Sequence, residues 1–73
     1  MNVKNKVINI ISKILKYKVN IKTTRNNCPK WDSLKHLEII MILEDEFEIQ
    51  FKKKDLNTLG SIKILIKKIQ DAT

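Results

Sequence analysis

The sequence predicts an all-α fold, a small bundle of three main helices plus one short helix, and three observations predict it. Apolar residues recur at three- and four-residue spacing in separate stretches of the 73-residue chain, the signature of helices that bury one face. Between the first two stretches, Asn20, Thr23, Thr24, Asn26, Asn27 and Pro29 form a cluster of turn residues that breaks the period. Nothing argues strongly for strands, although the β-branched "ILI" at 64–66 is locally ambiguous.

Taken in order, Val3, Val7, Ile10, Ile11 and Ile14 place an amphipathic helix over 3–17, with no Gly or Pro in the stretch. A loop follows over 18–31, because Pro29 disfavours helix at the residue before it. The second helix is predicted over 32–48, started by either Asp32 or Ser33, since either can turn a side-chain oxygen onto the unpaired N–H groups of the first turn. A short helix is expected near 54–57. Thr58 is the expected cap of a last helix over 58–70, whose apolar positions are Leu59, Ile62, Leu65, Ile66 and Ile69.

Length and composition restrict what such a chain can do. Residues 1–73 suffice for a single domain near the lower size limit for a core without disulfides or metal. Cys28 and His36 are the only residues of their kinds, which argues against an internal disulfide, a multi-thiolate zinc site or a Cys/His catalytic pair. No apolar run approaches a membrane span, and no signal-peptide pattern opens the chain, so a cytoplasmic location is expected; a monomer is expected as well. The net charge is +7. That excess first suggests a small basic helical nucleic-acid-binding protein, with Lys on the first and last helices as the phosphate contacts.

Charge distribution weakens that suggestion. Residues 32–50 hold six carboxylates against one base, a net −5, while the rest of the chain holds fourteen bases and two acids, a net +12. The acid gathers on the second helix, which has too many apolar faces. With Ile39 as zero on a helical wheel, Leu43, Phe47 and Ile40 lie within about 100° and serve a core, whereas Leu34, Leu37 and Met41 cluster at about 160–220°. Glu38, Glu44, Asp45 and Glu48 fringe that second cluster. Two-sided burial in the bundle is one reading. Against it, carboxylates beside the strip are costly to bury without partners, so a wet docking face for basic protein surfaces is expected.

The stretch "DSLKHLEIIMILEDEF" resembles the Asp-Ser-Leu segment of acyl carrier proteins and related peptidyl carrier domains. The likeness lies in register: Leu37, Glu38, Met41, Leu43, Glu44, Asp45, Glu46 and Phe47 stand at distances from Ser33 that are similar to the family pattern. "NTLGSIKILIKKI" resembles the family's closing helix, so the likeness covers roughly 3–70. It implies an acyl-carrier-like bundle and a covalent 4′-phosphopantetheine on Ser33, with Asp32 beside it in transferase recognition. It implies docking through Leu34, Leu37, Glu38, Met41, Glu44 and Asp45.

The implied partners are a phosphopantetheinyl transferase, an acyl- or aminoacyl-loading ligase, and a downstream acyltransferase or synthase, with neither nucleic acid nor a membrane span involved. The implied carrier is not itself an enzyme, and the residues offer no evident nucleophile, base and pocket for one. For Ser33 the plain alternative is an ordinary helix cap. Two departures stand out. Trp31 occupies the position that is commonly Gly in fatty-acid carriers, and Lys52, Lys53 and Lys54 replace the acid usual beyond the second helix. The pattern W-D-S-L-x-H-L looks more like carriers of specialised pathways than the bulk fatty-acid carrier. Trp31 is expected to cover the core, and His36 to sit at the helix surface or core edge.

Overall fold

A computed structural model describes residues 2–72 and shows an all-α fold. It has three α-helices, α1 (Val3–Leu15), α2 (Ser33–Phe47) and α3 (Ile62–Ala72), with a 3₁₀ helix, Lys53–Thr58, between the last two. The helix α1 packs on both α2 and α3. Its buried side chains Val7, Ile11 and Leu15 meet Ile39, Ile40 and Leu43 of α2 and Ile62, Leu65, Ile66 and Ile69 of α3 in one core. Each such aliphatic side chain contributes about 1.5–3 kcal/mol when taken fully out of water. Among the described residues, no helix is long and apolar enough to cross a membrane.

Asn2 caps α1, its Oδ1 accepting from Asn5 N at 3.3 Å. The helix stops at Leu15 rather than at 17, because Lys16 turns left-handed (φ 51°) and sends its N–H to Ser12 O, a common way for a helix to close. Ser12 Oγ then accepts from Val19 N at 3.1 Å, folding the chain back so that Val19 enters the core.

The loop after α1 is tied down by its own side chains. Thr24 N donates to Asn27 Oδ1 at 2.9 Å while Asn27 N donates to Thr24 Oγ1 at 3.2 Å. Asn20 and Thr23 are coupled likewise, with Asn20 N donating to Thr23 Oγ1 at 2.9 Å. The polar residues that read as turn formers in the sequence therefore act here as local caps. The loop also touches the far end of the chain. Thr24 and Ser61 form an isolated antiparallel bridge, Arg25 N donates to Gly60 O at 2.8 Å, and Ile62 N donates to Thr23 O at 3.1 Å. A Cβ added to Gly60 would lie 3.3 Å from Arg25 Cβ, so the chain's one glycine stands where two backbones approach closely.

The last part of the chain departs from the sequence expectation. The short helix is a 3₁₀ helix over 53–58, and α3 begins at Ile62 rather than at 58. Thr58 is not the cap of α3: its Oγ1 donates to Asp55 O at 2.8 Å, inside the 3₁₀ turn. Ser61 takes that role, its Oγ accepting from Ile64 N at 3.4 Å. Leu59 lies outside the helix yet is fully buried, so apolar spacing alone set the predicted start too early. The "ILI" at 64–66 is helical.

Candidate functional site at the start of α2

Between the two candidate starters of α2, the structure selects Asp32. Its Oδ1 accepts from Lys35 N at 2.9 Å and its backbone is extended, as a cap requires. Ser33 is therefore the first helical residue and has no capping duty. Its side chain is exposed, and its Oγ accepts from Arg25 Nη2 at 2.8 Å. The hydroxyl thus stands at the surface on a rigid element, beside a cation delivered by the loop. The Asp32 carboxylate takes one N–H of the first turn, and the remaining N–H groups and the positive end of the helix dipole favour negative charge at this end of α2.

Beneath this start lies a buried polar pair. Trp31 is 2% exposed and His36 is 6% exposed. Trp31 Nε1 donates to His36 Nδ1 at 3.1 Å, which places the ring proton on Nε2, and Nε2 donates to Leu56 O at 3.0 Å. His36 is hence not a surface or core-edge residue. It bolts the start of α2 to the 3₁₀ segment, and both ring nitrogens are satisfied, as burial demands. Trp31 does cover the core, and the spacing of Trp and His in the W-D-S-L-x-H-L pattern is the spacing of this bond.

Farther along α2, the second apolar cluster is outside the core. Leu34 is 79% exposed, Leu37 54% and Met41 68%, and Ile42 extends the strip; two-sided burial of α2 is excluded. The carboxylates around the strip divide by duty. Glu38 pairs with Lys35 at 3.5 Å on the same helix, and Asp45 and Glu48 are exposed. Glu46 reaches Lys6 of α1 at 3.1 Å, and the same ammonium lies 5.2 Å from the centre of the Phe47 ring. Glu44 is half-buried, its Oε2 accepting from Phe51 N at 2.8 Å, so that carboxylate closes the turn after α2. An open groove of about 780 Å³ joins Met41, Ile42 and Ile49 to Asp45 and Glu48.

The predicted residues are thus exposed at the start and along the length of α2, Asp32 and Ser33 at its tip and Leu34, Leu37, Glu38, Met41 and Asp45 farther on, except Glu44, which is half-buried and turned to the following link. Arg25 was missed from sequence. The one available signal was its type, a single Arg in a chain with fourteen Lys. Among the described residues no group of three or more His, Cys, Asp or Glu could hold a metal ion, and Cys28 is a buried free thiol. In comparisons with known proteins, the chain matches no family model and no curated sequence.

Proposed function

We propose that this protein is an acyl carrier, tethering a cargo through a 4′-phosphopantetheine arm on Ser33 for presentation to separate enzymes. The observation that carries this reading is the division of labour at the start of α2: Asp32 caps the helix, leaving the Ser33 hydroxyl exposed beside a guanidinium. A hydroxyl so placed fits a phosphodiester, whose charge is favoured by the helix terminus and by Arg25. Ser33 Oγ supplies the new bond to the phosphorus of coenzyme A that bears the pantetheine. The bond from that phosphorus to the adenosine-side oxygen breaks, adenosine 3′,5′-bisphosphate leaves, and the hydroxyl proton passes to the transferase or to water. When attached, the arm provides a thiol that carries the cargo as a thioester.

The chain's own residues do the presenting. Leu34, Leu37 and Met41 offer apolar contact area, and Glu38 and Asp45 offer negative charge to basic patches on the transferase, the loading ligase and the acceptor enzyme. A shared, transient docking face lets several enzymes use one carrier, while tethering raises the cargo's effective concentration at each. The Trp31–His36 bond keeps the α2 start rigid, so the root of the arm is presented at a fixed place. Trp31 in place of Gly, and a basic surface beyond α2, favour a specialised biosynthetic pathway over bulk fatty-acid synthesis, in the cytoplasm.

The test is incubation with coenzyme A and a broad-specificity phosphopantetheinyl transferase, followed by intact mass. One arm is gained by the wild type and none by Ser33→Ala. Failure to gain the arm with several transferases would count against the proposal.

A further inference from the structure

We propose that Arg25 is the phosphate anchor of the modified protein: its guanidinium, now bonded to the Ser33 hydroxyl, holds the phosphodiester once the arm is attached. This role rests on the tethering function proposed above. Three independent features point to it. Arg25 Nη2 already lies 2.8 Å from Ser33 Oγ, the atom through which the phosphate would be linked. The residue's backbone is fixed by the Gly60 carbonyl at 2.8 Å and by the neighbouring Thr24–Ser61 bridge, so the side chain departs from a defined place. It also makes no ion pair among the described residues, where the pairs use Lys6, Lys35 and Lys68.

Residue type fits the task. In a chain whose other fourteen bases are Lys, an Arg stands where a planar fork of donors can grip two phosphate oxygens at once, which an ammonium cannot do. A neutral hydroxyl takes one of those donors. A phosphodiester offers two non-bridging oxygens that share one negative charge, so the contact strengthens on modification. The consequence is an arm whose root is pinned against the 23–25 loop, and the loop is pinned in turn to the start of α3.

The experiment compares unmodified and arm-bearing forms of the wild type, Arg25→Gln and Arg25→Lys. In low salt, modification raises the wild-type Tm by about 2–4 °C, a shift easily read for a domain of this size, and the rise fades near 1 M salt as exposed charges are screened. Arg25→Gln shows no rise, and Arg25→Lys shows a smaller one. A second readout uses the wild type alone: the Nε–H resonance of its single Arg moves when the arm is attached. An equal Tm rise in Arg25→Gln, or an unmoved resonance in modified wild type, overturns the anchor while leaving the tether in place. Failure of the wild type to accept the arm overturns both, so the two failures are distinguishable.

Discussion

Two helices of this protein begin with a serine nearby, and the two serines have different work. At the start of α3, Ser61 occupies the capping position and its hydroxyl accepts from Ile64 N. At the start of α2, Asp32 occupies that position and Ser33 stands one residue later, exposed, its hydroxyl bonded sideways to Arg25. The remaining serine, Ser12, uses its hydroxyl to hold Val19 N. A one-residue offset thus separates a serine that the fold consumes from one that the fold displays. The difference teaches that availability of a hydroxyl is set by who caps the helix, not by exposure alone.

Substitutions sharpen that contrast. The largest effect is expected for Ser33→Ala, which abolishes arm attachment in the intact-mass assay yet leaves stability within about ±0.5 kcal/mol, as for surface sites without a structural duty; a marked stability loss would show that Ser33 is structural like Ser61. Next comes Trp31→Ala, expected to cost about 3–5 kcal/mol in denaturant unfolding, as for large buried aromatics. Trp31→Phe keeps most of the volume but leaves His36 Nδ1 without a donor, so a loss of about 1–3 kcal/mol is predicted from the unsatisfied buried atom alone.

The docking strip comes third. Leu37→Ala with Met41→Ala lowers kcat/KM of the transferase by about tenfold, the scale of a modest interface hot spot, with the unfolding midpoint nearly unchanged. A large stability loss would instead mean that the strip packs on the fold. The smallest effect is that of Ser61→Ala, which costs about 1 kcal/mol through the lost cap and leaves arm uptake as in the wild type.

Much of this was legible in the sequence because it depends on period. The core face of α1 and the division of α2 into a buried stripe and an outer strip follow from spacing along a helix, whereas the candidate role of Ser33 came from the resemblance of its segment to acyl carrier proteins. What was not legible depends on partners distant in the chain. His36 looks like a surface residue until Trp31 and Leu56 supply its hydrogen bonds. The start of α3 was read at Thr58 because threonine is a plausible cap and Leu59 keeps the helical spacing. Only the bridge from Thr24 and the bond from Ile62 N to Thr23 O fix the later start. Arg25 was invisible as a site residue for the same reason, since eight residues and an irregular loop separate it from Ser33.

The central claim is that the displayed serine, and neither of the two consumed ones, bears a phosphopantetheine in the cell. Isolation of the protein from its own cells, digestion, and peptide mass spectrometry test it most directly. The arm, bare or loaded, is predicted on the peptide containing Ser33, with the Ser12 and Ser61 peptides unmodified. A Ser33 peptide that carries no arm in any growth condition, or an arm found on Ser61, would contradict the account.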